Sequence, residues 1–429
     1  MTVQSIVADH TVAHTQSPYR AVAAAGFGHL LEWYDFIIYA YAASIIAKRF
    51  FPTDSELGSL LLAFLVFGIG FLARPLGGMV LGPYADRKGR KATLILCLYL
   101  MAAGTLMIAF TPSYETIGVV APLIIAAARL IQGFSVGGEA SASTAFIVEW
   151  APEGKRGLYG SFQQWSAGFG ILLGSVVFTI ISKSLPQVTL EDWAWRIPFL
   201  LGGLLAPIGM WLRLTIGETP KFEEAQIDPS VSTRSIPIGG IARAFGYAIP
   251  WSVAYYTILS YSPTFMIRAL QLKADDAFLI SSISLVVFCA AVPLFGNLSD
   301  KIGRKPIVIA ACLLMAACTY PMYAYMLGQK TFVAALIGQT VLILALAMYS
   351  GVGPALITEQ FPTKNRLTWM ATAYSISVAI SGGFAPYIAT WLTAATGDVL
   401  SPTWYVIGTS IFGLLLIFAF KETAKSRLT

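Results

Sequence analysis

Runs of about twenty apolar residues recur along the whole of this 429-residue chain, separated by short polar loops. A helix of roughly 20 residues crosses the ~30 Å hydrocarbon core of a bilayer. It also pairs its own backbone N–H and C=O groups where no water is available to do so. That ruler divides the sequence into spans near 21–46, 58–83, 92–111, 117–148, 157–182 and 194–214, then 240–267, 277–298, 306–327, 332–357, 367–393 and 403–420. The expected fold is an all-α membrane protein with twelve transmembrane helices in two six-helix bundles. Composition agrees, since 12% of residues are charged and 56% hydrophobic, whereas soluble domains carry about 25% charged residues.

The longest polar break, 215–239, holds Lys221, Glu223, Glu224, Asp228 and Arg234. Read as a linker, it leaves a tail over 1–20, a first bundle over 21–214, a second over 240–420 and a closing tail over 421–429. The first twenty residues are polar, include Asp9, and lack the basic start and small-residue cleavage site of a secretory signal, so no removable leader is expected. Clusters of Lys and Arg resist translocation. Arg87, Lys88, Arg90, Lys91, Lys155, Arg156, Lys301, Arg304, Lys305, Lys364 and Arg366 fall in alternate loops, on one side with Lys421, Lys425 and Arg427. Lys48, Arg49, Lys183, Lys273 and Lys330 form a thinner opposite set, so both termini are expected in the cytoplasm. The formal charge of +6 is accounted for by this topology and not by nucleic acid. Cys97, Cys289, Cys312 and Cys318 lie in apolar runs without paired spacing, which suggests neither a disulfide framework nor a metal site.

Three motifs occur twice at an offset of about half the chain. Gly82-Pro-Tyr-Ala-Asp86-Arg87-Lys88-Gly89-Arg90-Lys91 after the second span returns as Gly296-Asn-Leu-Ser-Asp300-Lys301-Ile302-Gly303-Arg304-Lys305 after the eighth. Glu149-Trp-Ala-Pro152 with Arg156 returns as Glu359-Gln-Phe-Pro362 with Arg366, and Gly217-Glu218-Thr219 is echoed by Lys421-Glu422-Thr423. Such echoes imply parallel halves related by an axis along the membrane normal. Topology alone explains the basic residues of these motifs but not acidic ones at matched places. Charge pairs among Asp86, Asp300, Glu149, Glu359 and their Arg and Lys neighbours are therefore expected to act as a gate, desolvated when closed and wet when open.

An ionisable side chain at the bilayer centre costs about 2.5–3.5 kcal/mol on insertion scales, so each one calls for an explanation. His29, Glu32, Asp35, Arg129 and Glu139 are singled out on that ground. Glu32 and Asp35 lie on one helix face, and carboxylates that close favour holding a proton between them. Arg129 reads as the one Arg well inside an apolar helix away from the loops. Its planar fork suits a substrate carboxylate, and equally suits neutralising Glu32 or Asp35 across the bundle. Both roles combine if a substrate acid competes for Arg129 and thereby raises the proton affinity of the carboxylate it leaves. Glu139, ten residues on and about 15 Å away along the helix, is read either as a second proton site or as a hydrogen-bonded contact to a neighbouring helix. His29 is a titratable candidate or a helix contact. Tyr34, Tyr39, Gln132, Gln163, Gln164, Tyr255, Tyr256, Tyr261 and Tyr374 are candidates to line an otherwise apolar cavity, with Gln164 and Tyr374 at equivalent places in the two repeats.

The doubled Gly-x-x-x-Asp-Arg-x-Gly-Arg-Lys loop and Arg129-Leu-Ile-Gln132-Gly133 together resemble the signature motifs of the major facilitator superfamily. Within it, Glu32-Trp33-Tyr34-Asp35-Phe36, Gly133-Phe-Ser-Val-Gly137-Gly138-Glu139, Trp195-Arg196-Ile197-Pro198-Phe199 and Glu218-Thr219-Pro220-x-Phe222 resemble the metabolite:proton symporter family. The resemblance implies proton-coupled import across a bacterial inner membrane of α-ketoglutarate, citrate, shikimate, an aromatic acid, or proline and betaine. His29 departs from it, standing where a small polar residue is usual. No Gly-x-x-x-x-Gly-Lys-Ser/Thr phosphate cradle occurs, so protons are the expected coupling ion, with no other cofactor and no enzyme chemistry. The short closing tail favours a metabolite importer over the osmolyte carriers, whose tails are long and charged. The expected cargo is a small organic acid, a di- or tricarboxylate, carried by a monomer in the lipid bilayer; a receptor that has lost transport is the alternative from another class.

Overall fold

The computed structural model describes residues 18–54, 56–219, 222–223, 238–418 and 422–426. Asp9, Lys221, Glu224, Asp228, Arg234, Lys421 and Arg427 lie outside them, as does most of the expected linker. The principal helices are α1 (Pro18–Tyr41), α2 (Glu56–Lys88), α3 (Arg90–Phe110), α4 (Val120–Glu149), α5 (Arg156–Ser184) and α6 (Ile197–Leu214). They continue as α7 (Ile238–Tyr256), α8 (Ala274–Ile302), α9 (Arg304–Gln329), α10 (Phe332–Thr358), α11 (Arg366–Ser381) and α12 (Ser401–Ile417). Among the described residues nine helices are long and apolar enough to cross a bilayer, and Val22–Tyr41 with Ala43–Phe50, bent by 64°, makes a tenth. The other two expected spans are α7, which passes through a π-turn at Thr257–Tyr261 into Ser262–Arg268, and the 17-residue α12.

Two expected helices are interrupted. Span four starts at Val120, because Gly118 takes a positive φ of 58° after the short helix Tyr114–Ile117. Span eleven stops at Ser381 and resumes at Ala385. There Gly382 and Gly383 face Tyr256 and Phe71 so closely that an added Cβ would lie 2.7 and 2.9 Å from those side chains.

The two halves repeat one packing pattern. In the first, α1 packs on α5, α2 on α4, and α3 on α4 and α6; in the second, α7 packs on α11, α8 on α10, and α9 on α10 and α12. The halves meet where α5 lies against α8 and α10, and where α2 and α4 lie against α11. Large apolar side chains such as Leu65, Leu72 and Leu76 on α2, and Leu204, Ile208 and Trp211 on α6, point outward. In water such faces would drive association; in lipid they are the solvated surface.

Candidate functional site

A turn of glycines seats α4 on α2. A Cβ at Gly133 would fall 1.9 Å from the Gly70 carbonyl oxygen, and one at Gly137 would fall 2.1 Å from that of Arg74. This contact brings Arg74 and Arg129 to the wall of one small cavity, with Glu32, Trp33, Gln132 and an apolar lining that includes Phe67 and Phe71.

Arg129 stacks over Tyr39 at 4.1 Å and Phe67 at 5.0 Å. Its Nη1 donates to Gln132 Oε1 (2.8 Å), and Gln132 Nε2 donates to Thr105 Oγ1 (3.1 Å). The Thr105 hydroxyl reaches both the Asp35 carboxylate and the Met101 carbonyl oxygen, the latter at 3.0 Å. A hydroxyl has one proton and two lone pairs. Thr105 can thus donate to a charged Asp35, or accept from a protonated one while turning its own proton to Met101, and keep Gln132 in either state. Thr105 can therefore pair with Asp35 in either protonation state.

The expected direct pairing of Arg129 with Glu32 or Asp35 is not found among the described residues; Gln132 and Thr105 stand between Arg129 and Asp35. Glu32 and Asp35 are also not joined to each other. Asp35 turns toward α3 and α6, so that a Cβ on Gly202 would lie 2.6 Å from its Oδ1. Glu32 faces the cavity and His29.

His29 is a buried helix contact. Trp33 Nε1, which can only donate, points at His29 Nε2 (3.1 Å), so Nε2 keeps its lone pair and Nδ1 carries the hydrogen toward Glu32 Oε2 (3.2 Å). Gln163 Nε2 meets the same His29 Nε2 at 2.8 Å, joining α1 to α5. Gln163 and Gln164, linked at 2.8 Å, line a second cavity of about 330 Å³ with Tyr374, so the matched pair Gln164 and Tyr374 share one space. Tyr255 and Tyr256 pack on Trp33 at ring distances of 5.3 and 6.3 Å. Tyr39 lies beneath the Arg129 guanidinium, its hydroxyl donating to Ala63 O (3.2 Å). None of these three tyrosines is on the wall of either cavity.

Glu139 pairs with Arg213 of α6, both buried, and not with Arg129. Arg213 and Arg74 were missed by sequence reasoning. Arg74 sits mid-way in the second span, so the insertion-cost criterion that selected Arg129 selects it too, and Arg129 is not the lone intramembrane Arg. Arg213 occupies the last turn of the sixth span, where a basic residue reads as a loop flank.

The echoed motifs converge at one end of the bundle as two clusters, and each is completed from the opposite half. Glu149 is held by Arg90 (3.3 Å), by Thr219 Oγ1 (2.5 Å) and by Arg366 of the second half (2.6 Å). Glu359 is held by Arg304 (3.2 Å), by Thr423 Oγ1 (2.5 Å) and by Arg156 of the first half (3.1 Å). Asp86 accepts from the backbone N–H groups of Leu367 (3.3 Å) and Thr368 (2.8 Å), and Asp300 from those of Gly157 (2.8 Å) and Leu158 (2.9 Å). Each aspartate thereby caps the first turn of a helix in the other half, where free N–H groups and the helix dipole favour an anion. Gly82 lies at the same crossing, a Cβ there falling 2.9 Å from the Leu367 carbonyl oxygen.

Gly89 and Gly303 take φ of 102° and 104°, a region L side chains avoid. The turn exposes the next backbone amides to a carboxylate: Lys91 N donates to Glu218 (3.0 Å), and Arg304 N and Lys305 N donate to Glu422 (both 3.0 Å). Lys91 Nζ ties α3 to Leu214 O (3.1 Å) at the end of α6. Arg87 is exposed and outside the cluster.

A family model described as sugar (and other) transporter matches residues 21–230, and one described as major facilitator superfamily matches 244–428. The chain is 35% identical over 422 residues to a citrate-proton symporter of Klebsiella pneumoniae, covering 94% of each. It is 32% identical to a proline/betaine transporter of Salmonella typhimurium, covering 95% of this chain and 84% of that protein. It is 33% identical to the α-ketoglutarate permease of Escherichia coli K12, covering 97% of each. A solved proton:xylose symporter, XylE, bound to 6-bromo-6-deoxy-D-glucose, shares the fold at a TM-score of 0.83 and 22% identity, over 96% of this chain and 97% of that one. The chain belongs to the major facilitator superfamily: it is a multi-pass membrane transporter of the symporter kind and not an enzyme.

Proposed function

We propose that this protein imports a small organic acid together with protons by alternating access, with Arg129 as the anion contact and Asp35 as the proton carrier. The observation that carries this reading is the hydrogen-bond chain Arg129–Gln132–Thr105–Asp35. A substrate carboxylate offers Arg129 a charged acceptor, which it prefers to the neutral Gln132 amide. Gln132 then turns from Arg129, Thr105 loses the donor that polarised its hydroxyl toward Asp35, and Asp35, with part of the Arg129 field also gone, takes a proton. The citrate and α-ketoglutarate carriers among the relatives support an acid as cargo.

The end bearing the Asp86 and Asp300 latches is read as cytoplasmic, because the basic loops gather there, and the closed latches correspond to a carrier shut on that side. Release then requires the aspartates to leave the α11 and α5 amides as the halves rock apart.

Reconstitution into proteoliposomes tests the reading. Asp35→Asn should keep exchange of labelled acid between the two sides and lose accumulation driven by an inward proton gradient. Gradient-driven accumulation by Asp35→Asn equal to that of the unmodified protein would refute it.

A further inference from the structure

We infer that Arg74 and Arg129 form a two-point anchor for a dianion, one carboxylate at each guanidinium, so that the cargo carries two acid groups. This deepens the organic-acid reading above and rests on it. Both guanidiniums are buried on the wall of one cavity. Their hydrogen bonds among the described residues go to neutral groups: Arg74 Nη1 to the Tyr256 hydroxyl at 3.4 Å, and Arg129 Nη1 to Gln132. Both Nε–H groups lack a partner. Aromatic rings cover one face of each, Phe71 at 4.2 Å from Arg74 and Tyr39 at 4.1 Å from Arg129, which leaves the donor edges for a guest.

The single carboxylate on the cavity wall, Glu32, is taken up by His29. Two buried cations with unfilled donors and no carboxylate in contact call for two anionic groups. A monoacid, or the acid group of a zwitterion, satisfies one fork only. Tyr256 comes from α7 in the opposite half, so an acid group that displaces its long contact with Arg74 acts on the seam between the halves as well as on the site.

The test is equilibrium binding to the purified full-length protein of linear dicarboxylates of three to six carbons, against monocarboxylates of the same lengths. Losing one partner of a buried charge pair costs enough that the best diacid should bind at least ~30-fold more tightly than its monoacid. In Arg74→Gln that preference should fall to within about 3-fold. The preference of the unmodified protein needs no variant, so a misfolded Arg74→Gln leaves the test standing. Equal binding of mono- and diacids, or a folded Arg74→Gln that keeps the full preference, would overturn the two-point anchor alone. Binding of proline or betaine with no binding of any acid would overturn the organic-acid reading and the anchor with it.

Discussion

The two charge clusters at the end of the bundle use matched residues and hold the halves together by different means. In the first, Asp86 receives three bonds from α11, because the Thr368 hydroxyl adds a 2.6 Å contact to the two backbone amides. Arg90 itself crosses to the Thr363 carbonyl oxygen (2.9 Å) and stands off from Asp86 at 3.6 Å. In the second, Asp300 receives two bonds from α5, and Arg304 stays in its own half, 2.8 Å from Asp300. Here backbone supplies the contact: a Cβ on Gly157 would lie 2.4 Å from the Gly296 carbonyl oxygen. The position equivalent to Gly157 in the other repeat is Leu367. The first crossing thus has one more side-chain hydrogen bond, and the second the closer helix contact at glycine.

The sharpest way to break this contrast is at the crossed arginines. Arg366 is fully buried, and Arg366→Gln leaves Glu149 with one cation in place of two. Breaking a buried pair costs about 3–5 kcal/mol, so thermal unfolding in detergent should show a loss near the lower bound. Arg156→Gln should cost less, because the Arg156 side chain is 10% exposed, so water replaces part of what is lost, whereas that of Arg366 is fully buried. Next in size, Gly157→Ala should slow uptake by ~100-fold with normal membrane levels, since overpacking a contact this tight costs about 1–3 kcal/mol. Gly82→Ala, where the nearest atom is 2.9 Å away, should slow it by about tenfold or less. Smaller again, Asp86→Asn should impair uptake about threefold more than Asp300→Asn, matching the one extra charge-assisted bond, discounted for the wet open state.

The smallest effect concerns pH at the two capping glutamates, which lie outside the spans. Burial pushes the Glu218 carboxyl up, against the pull of the Thr219 and Lys91 amides and Arg90. At Glu422 partial burial also pushes up, but the amides of Arg304, Ala424, Lys305 and Thr423 outweigh it and hold the carboxyl below its usual range. The signs are opposite. Glu422 adds stability above the ordinary carboxylate value, and this is lost as pH falls through its lowered one. Glu218 subtracts stability as pH rises from the ordinary value through its raised one. In unfolding scans at neutral pH, Glu422→Gln should therefore destabilise the protein while Glu218→Gln is neutral or mildly stabilising.

Much of this was legible in the sequence. Hydropathy located the helices because lipid imposes one length and one backbone solution. The three echoes marked the latch residues, since acidic groups at matched places have no topological excuse. The crossing was not legible: a repeat shows that Glu149 and Glu359 are equivalent but not that Arg366 serves the first and Arg156 the second. The same limit applies inside the membrane. Asp35 and Arg129 were recognisable as costly and Gln132 as a lining amide, yet Thr105, a hydroxyl with no motif around it, completes the connection between them. Glu139 became a structural pair once Arg213, hidden in the flank of α6, was placed beside it. Arg74 was legible and passed over, within four residues of the Gly77-Gly78 pair on α2.

The most direct measurement is proton uptake on substrate binding, read with a pH indicator in weakly buffered solution of the purified protein. The unmodified protein should take up protons when a bound acid is added, and Gln132→Leu should bind the acid with that uptake reduced. Proton uptake by Gln132→Leu undiminished at equal occupancy would contradict the relay from Arg129 to Asp35.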